Sequence, residues 1–319
     1  MKPCALAGSF GPFSLTRPQG ALGGAKYAVP ERRFHKWLTK PGALRVPQIT
    51  IYFWVIKALS TAMGEATSDY SVHRLDPKLA VCLGFAGFLV ALLLQYSRHR
   101  YIAWTYWLAV VMVGVFGTMA ADVLHVGFGV PYFASSALYA LVLVAVFVSW
   151  QKTEKTLSIH SVDTPRREAF YWASVVATFA LGTAVGDLTA VDFHLGYLGS
   201  GLMFAGLILV PAVGYWRFSW NPVFSFWFAY VVTRPLGASF ADYMGKPQSA
   251  GGLGWGDGNV ALVLTALIFC FVAFLAVTHA DVQHTPDVAR AGVCYPSEGG
   301  PSGPDRAESA GELPGPRRD

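Results

Sequence analysis

The stretch YWASVVATFALGTAVGD, residues 171–187, decides how the chain is built, because its pattern recurs. An aromatic residue precedes Trp172, and Gly182 and Asp187 follow that tryptophan by ten and fifteen residues. The same frame is present in FWVIKALSTAMGEATSD (53–69), YWLAVVMVGVFGTMAAD (106–122) and FWFAYVVTRPLGASFAD (226–242). The four tryptophans are 53, 65 and 55 residues apart, which indicates four tandem units, each long enough for two helices.

The composition of the 319 residues places these units in a membrane. Hydrophobic residues make up 54% of the chain, charged residues only 13%, and the mean hydropathy is +0.42. This is too apolar for an ordinary soluble domain. The net charge of +5 comes from basic tails and short loops, not from a stripe on a folded face. We therefore predict lipid as the partner and exclude nucleic acid.

Eight segments are long and apolar enough to span a bilayer, which needs about 20 residues per helix. The predicted spans are 50–70, 79–97, 102–124, 132–150, 169–190, 195–216, 223–244 and 260–279. They form one membrane domain, residues 49–280, with repeats at about 50–100, 101–165, 166–220 and 221–280. Residues 1–48 are basic and residues 281–319 are rich in Pro, Gly and charge, so both are predicted to be disordered tails.

The loop charges predict an orientation, because Lys and Arg are retained on the cytoplasmic side of a membrane. The loops after spans two, four and six are basic, whereas those after spans three and five carry no Lys or Arg. Both termini are accordingly predicted to be cytoplasmic. The basic loop residues are Arg98, Arg100, Lys152, Lys155, Arg166, Arg167 and Arg217.

With these features the chain resembles a family of bacterial membrane proteins built from four tandem copies of a "repeat of unknown function", usually labelled membrane-anchored proteins. Each repeat in that family has two transmembrane segments and a characteristic tryptophan. The resemblance covers residues 50–280 and leaves out the tails. It implies an all-α membrane protein, with eight helices as four two-helix repeats, in the inner membrane of a bacterium. It implies little about function. The matching tryptophans are Trp54, Trp107, Trp172 and Trp227.

The tryptophans and glycines of the frame have structural explanations. Aromatic residues near helix ends commonly form a belt at the membrane interface, and this is the role predicted for the four tryptophans. Glycines inside membrane helices mark positions where two helices touch. We predict close helix contacts at Gly64, Gly117, Gly182 and Gly237.

The carboxylates are the candidate functional groups, since a charge inside a bilayer costs several kcal/mol unless it is paired or solvated. Residues three, seven, eleven and fifteen after each tryptophan share one helix face, which carries most of these charges. Lys57 and Arg234 are predicted to be counter-charges for Glu65 and the aspartates. Solvation of the aspartates by the outer headgroups is the alternative. The four aspartates are Asp69, Asp122, Asp187 and Asp242.

Because each unit has two spans, all four repeats must cross the membrane in the same direction. Four parallel motif helices around an axis would place the aspartates in one ring, which would attract cations or protons. His73 follows Asp69 by four residues and His125 follows Asp122 by three, so these histidines are weak candidates for ligands of a divalent metal. Ordinary loop histidines are the competing interpretation.

Two functions remain open on this sequence. The first is a transporter or permease with a cation or proton path lined by the motif-helix acids, and with a cation or small solute as its substrate. The second is a non-transporting anchor or sensor that binds a partner through its cytoplasmic tails. No catalytic motif such as HExxH or GxSxG is present, so an enzyme is not predicted, and no cofactor is implied. The oligomeric state stays open.

Overall fold

A computed structural model describes residues 44–282, the side chain of Val126 excepted. These residues form a helical bundle without strands in the described part of the chain. A single residue, Ile208, separates α6 from α7, so the predicted number of eight long helical segments is confirmed. The remaining parts of the predicted tails, residues 1–43 and 283–319, lie outside this description. The α-helices are α1 Ile51–Arg74, α2 Pro77–Tyr96, α3 Ala103–Asp122, α4 Tyr132–Glu154, α5 Pro165–Asp187, α6 Gly196–Leu207, α7 Leu209–Phe218, α8 Pro222–Gly245 and α9 Asp257–Thr278.

Six of the eight segments are long and apolar enough to cross a membrane: α2, α3, α4, α5, the α6–α7 pair and α9. The outward faces of the helices without the motif expose large apolar side chains, among them Leu93, Leu141, Leu202 and Leu262. So large an apolar surface suits a bilayer and would be unstable in water. The helices therefore indicate a multi-pass membrane protein.

Side-chain caps explain where several helices begin. Asp76, Thr164 and Asn221 accept hydrogen bonds from the first backbone N–H groups of α2, α5 and α8, and a proline occupies the next position in each case. Thr50 caps α1 without a proline. The sequence prediction began α5 four residues late, at 169, and so left Glu168 outside a helix in which it is buried.

The four motif helices, α1, α3, α5 and α8, form a closed ring. Each packs on the next in chain order, and α8 packs back on α1. The other helices lie outside: α2 packs on α3, α4 on α5, α6 on α8 and α9 on α1. Each outer helix therefore packs mainly on the motif helix of the following unit, and the last one on the first.

Glycines make the four contacts inside this ring. In every pair of neighbours, the motif glycine of one helix faces the residue seven positions after the tryptophan of the next helix. The contact at Gly64 joins two backbones, since a methyl group there would lie 2.7 Å from the carbonyl carbon of Gly114. The predicted close packing is confirmed at each site. The pairs are Gly64 with Gly114, Gly117 with Phe179, Gly182 with Arg234, and Gly237 with Thr61.

The aromatic pairs at the start of the motif helices form an aromatic girdle, a closed circle of eight rings. The aromatic residue of each pair contacts the tryptophan of the next helix, with centroids 5.6 to 6.2 Å apart. The prediction of an interface belt is wrong for Trp107, Trp172 and Trp227, which are buried inside the protein, and Trp54 is half-buried. Because all four pairs meet at one end, the motif helices are parallel, as predicted. The pairs are Phe53–Trp54, Tyr106–Trp107, Tyr171–Trp172 and Phe226–Trp227.

Candidate ion site along the axis of the helix ring

The charged face predicted from the sequence lies along the axis of the ring. Residues three, seven and eleven positions after each tryptophan are all buried, and the aspartates at fifteen are buried or half-buried. From the girdle upward the four levels are Lys57, Val110, Val175 and Tyr230; Thr61, Gly114, Phe179 and Arg234; Glu65, Thr118, Thr183 and Ala238; and Asp69, Asp122, Asp187 and Asp242.

Arg234 lies at the centre of the axis and connects all four motif helices. Its side chain is 0% exposed, and its Nη2 lies 2.6 Å from Glu65 Oε2. The same nitrogen lies 2.5 Å from Thr118 Oγ1 and 2.7 Å from Thr183 Oγ1. Nε and Nη1 have no acceptor among the described residues. The Arg234–Glu65 ion pair therefore fills the centre of the axis. Removing either member of the pair would leave the other charge buried and uncompensated.

Lys57 lies below this pair and is not the counter-charge that the sequence predicted. Its side chain is 0% exposed, and its Nζ has no hydrogen-bond partner among the described residues. The nitrogen instead lies 3.9 Å from the centroid of the Phe179 ring and 4.1 Å from that of Tyr230. Cation–π contacts offset only part of the cost of burying an amine. Glu65 is occupied by Arg234, which explains why the expected pairing fails.

Replacing Lys57 with methionine is expected to keep or raise the melting temperature of the protein in detergent. The substitution removes a buried amine without a hydrogen-bond partner, and the thioether packs well on the Phe179 and Tyr230 rings. Lys57→Ala, the matched control, should be less stable than Lys57→Met by about 2–5 kcal/mol because it leaves a cavity. A large drop in melting temperature for Lys57→Met would show that the amine is a stabilising group.

Acidic residues gather at the far end of the axis. One carboxylate oxygen from each of Glu65, Asp69 and Asp242 lies within 4.8 Å of the other two. Lys246, just beyond α8, forms an ion pair with Asp69, and its Nζ lies 3.8 Å from Asp242 Oδ1. Burial lowers the pKa of Lys246, but attraction to Asp69 and Asp242 outweighs it and holds the pKa above its usual range. Lys246 is therefore the counter-cation of these two aspartates, a role that the sequence prediction missed.

Asp122 and Asp187 complete this group and are its more accessible members. Both side chains are half-buried, and both carboxylates interact electrostatically with Glu65. A π-helical turn follows each of them directly, Val123–Gly127 after the first and Leu188–Asp192 after the second. Such turns are frequent at functional sites. We call the five acids the acidic mouth: Glu65, Asp69, Asp122, Asp187 and Asp242.

The two predicted metal-binding histidines are not members of the carboxylate group formed by Glu65, Asp69 and Asp242. The Nδ1 atom of His73 is 2.6 Å from the carbonyl oxygen of Asp69 on its own helix. His125 stacks on Tyr132, and its Nδ1 lies 2.7 Å from the carbonyl oxygen of Val130. Among the described residues, the group that could hold a metal contains carboxylates only. Oxygen ligands of this type suit a hard cation such as Mg²⁺, Ca²⁺ or Mn²⁺.

A second buried ion pair lies at the girdle end, and sequence reasoning missed it. Arg45 Nη1 lies 2.6 Å from Glu168 Oε2, and both side chains are buried. Gln95 Nε2 and Trp172 Nε1 donate to the other carboxylate oxygen of Glu168 at 3.0 and 3.4 Å. Residues 44–48, assigned to a disordered tail from their composition, therefore belong to the fold. The only sequence signal was a lone acid, Glu168, beside a predicted membrane span.

Asp281 is also part of the folded structure, although the prediction placed it in the C-terminal tail. It is 1% exposed, and its carboxylate accepts a hydrogen bond from the Tyr101 hydroxyl. Its carbonyl oxygen accepts a hydrogen bond from Gln48 N at 2.8 Å. The two ends of the described chain thus meet beside the aromatic girdle.

Comparison with known proteins agrees with this repeat architecture. The model of the Repeat of Unknown Function (DUF347) matches residues 105–156, 170–219 and 225–281. The chain belongs to the family built from that repeat. The family matches cover its second, third and fourth units, while the first unit, which carries Lys57 and Glu65, lies outside them. No curated protein and no solved structure matches the chain.

Proposed function

We propose that this family member is a transporter or permease of the bacterial inner membrane, with a cation- or proton-binding path along the axis of the motif-helix ring. The acidic mouth carries the proposal. Four aspartates lie there near the ends of four parallel helices, with Glu65 one turn below them, and the cations paired with these acids are Lys246 and, at the centre of the axis, Arg234. Rings of acidic side chains attract and select cations in membrane pathways.

The proposal places the girdle at the cytoplasmic side and the acidic mouth at the outer side. The basic loops that follow α2, α4 and α7 lie at the girdle end, together with both ends of the described chain. Retention of Lys and Arg on the cytoplasmic side supports this orientation. All eight segments then span the membrane, and α1 and α8 hold their charges against the axis and away from lipid.

The filled axis suggests how access would alternate. Arg234 and Phe179 occupy the centre, so a substrate passes only if the Arg234–Glu65 pair separates. A cation or proton bound at Glu65 would compete with Arg234 for the carboxylate, which couples occupancy of the acidic mouth to opening of the axis. Lys57 is a second buried basic side chain below that point, and an entering cation would meet its repulsion whenever the amine is protonated.

Asp122→Asn and Asp187→Asn are expected to reduce cation flux at least tenfold while the purified protein keeps its melting temperature. Both side chains are half-buried, so the substitutions remove ionisable groups from the acidic mouth with little effect on packing. Flux would be measured in proteoliposomes with a pH-sensitive dye for protons and with a chelating dye quenched by Mn²⁺. Asp192→Asn, an exposed acid five residues after Asp187, is the matched control and should leave flux unchanged. The proposal would be contradicted if the wild-type protein moved protons and Mn²⁺ no faster than empty vesicles do, or if both variants had the same flux as the wild-type protein.

A non-transporting anchor or sensor is the second candidate, and the tightly filled axis favours it. The central ion pair is fully buried and the glycine contacts leave no room between the helices. In this case the function would depend on the tails and not on the acidic mouth. Deletion of residues 1–43 and 283–319 removes neither Arg45 nor Asp281 from the fold. The test is complementation of a deletion strain. If the truncated protein fails to restore the wild-type phenotype but the Asp122→Asn variant restores it, the anchor is favoured.

A further inference from the structure

The segment that leads into α1, residues 44–48, runs across the girdle end of the ring. We call it the strap. Within the ring, α1 packs on α3 and α8, so α5 is the motif helix on the opposite side. Arg45 nevertheless pairs with Glu168 on α5, six residues before α1 begins. The chain must therefore pass over the end of the ring between Arg45 and the start of α1.

Several contacts fix the strap on both sides of the girdle. The N–H of Arg45 donates to the carbonyl of Val162, just before α5, and the carbonyl of Leu44 accepts from Tyr101 N, just before α3, each at 3.0 Å. On the other side, Gln48 N donates to the carbonyl of Asp281, which follows α9. The strap thus connects loops that belong to opposite sides of the ring.

The strap shields the end of the axis from water. Val46, in its middle, is 2% exposed and belongs to the same apolar core as the girdle rings. Tyr106 and Tyr171, whose hydroxyl groups lie 2.5 Å apart, are fully buried. Side chains at the end of an uncovered ring of helices would be open to solvent. Their burial shows that the girdle end is closed.

We propose that the strap is the gate at the girdle end of the axis, held shut by the buried Arg45–Glu168 ion pair. The proposal rests on the transport function proposed above and adds to it the point of control on the girdle side. This buried pair holds the strap firmly in place. Separating it would leave the Glu168 carboxylate buried without a counter-charge unless Arg45 and Glu168 both reach water. Release of the strap would carry Arg45 toward water and expose the girdle.

Labelling of a cysteine on the axis tests this gate without any transported substrate. The reporter is Val175→Cys, fully buried on the axis just above the girdle, in a background with all four native cysteines replaced by alanine. A charged, membrane-impermeant methanethiosulfonate reagent is applied to the girdle side of proteoliposomes. We expect slow labelling in this background and labelling at least tenfold faster after Arg45→Ala. Exchanging the charges, with Arg45→Glu and Glu168→Arg together, should restore slow labelling.

The matched control is Arg166→Ala, which breaks an exposed ion pair with Glu154 at the same end and should leave the labelling rate unchanged. If Arg45→Ala fails to fold, Glu168→Gln replaces it, because that change neutralises the other member of the same ion pair with little change in shape and should also speed labelling. Slow labelling in a folded variant whose Arg45–Glu168 pair is broken would overturn the gate. Labelling of the control variant as fast as that of the broken-pair variant would overturn it as well. Neither outcome depends on flux, so the failure of the gate and the failure of the transport function remain distinguishable.

Discussion

Arg234→Met is expected to destabilise the protein by about 3–5 kcal/mol, the usual cost of leaving one member of a buried ion pair alone. Glu65 would remain buried among the motif helices without its partner. Combining Arg234→Met with Glu65→Met should recover most of that loss, because the pair is then replaced by apolar side chains of similar size. The loss of the Arg234 guanidinium leaves neither the Thr118 nor the Thr183 hydroxyl without a hydrogen bond, because each also donates to a carbonyl of its own helix.

The measurement is a double-mutant cycle of thermal unfolding on the purified protein in detergent, with near-full recovery in the double variant as the expected result. Arg167→Met provides the comparison, because its partly exposed pairs with Glu154 and Asp163 should each contribute less than about 1 kcal/mol. A double variant as unstable as Arg234→Met would show that the guanidinium stabilises the ring by something other than its pairing with Glu65. In flux assays the stable double variant should be inactive if the pair is the moving part of the path.

Gly64→Leu should prevent the ring from closing between α1 and α3. Every atom that a methyl group at Gly64 would meet within about 3 Å belongs to the backbone of Gly114 or Val115. Side-chain rotation cannot relieve such a clash, so the two helices would have to separate. We expect a loss of monodisperse protein on size-exclusion chromatography or, at the least, a melting temperature lower by many degrees.

Gly206→Leu is the control for this substitution. Gly206 also lies within a helix of the bundle, but a methyl group there meets nothing within 4 Å. The control should purify like the wild-type protein, which separates the effect of the lost contact from a general effect of leucine in place of glycine. Wild-type behaviour of Gly64→Leu would contradict the close approach of α1 and α3.

The repeated part of the fold could be predicted from the sequence because each motif position has the same structural role in all four repeats. The glycines at position ten identify the helix contacts, and the face with Glu65 and the aspartates identifies the axis. The direction in which the tryptophans point could not be predicted. An interface belt and an inner girdle both place aromatic residues near helix ends, and only the closure of the ring turns them inward.

The parts of the candidate site that the sequence did not reveal depend on residues outside the repeated frame. Lys246 is a single loop lysine, and its position between Asp69 and Asp242 follows from the way α8 ends beside α1. Arg45 and Glu168 are 123 residues apart and lie outside the predicted spans. Lys57 was recognised as unusual, but its contacts with two aromatic rings depend on Phe179 and Tyr230, which come from two other helices.

The offset packing of the outer helices has a consequence for biogenesis. α1 carries Lys57, Glu65 and Asp69, is not among the apolar candidate spans, and has α9 and α8 among its main neighbours. Both of these helices are synthesised last. During translation α1 must therefore persist without the helices that later shield its charges. The ring closes only when α8 has been inserted, and α1 gains its outer neighbour only with α9, so assembly of this protein is completed late in synthesis.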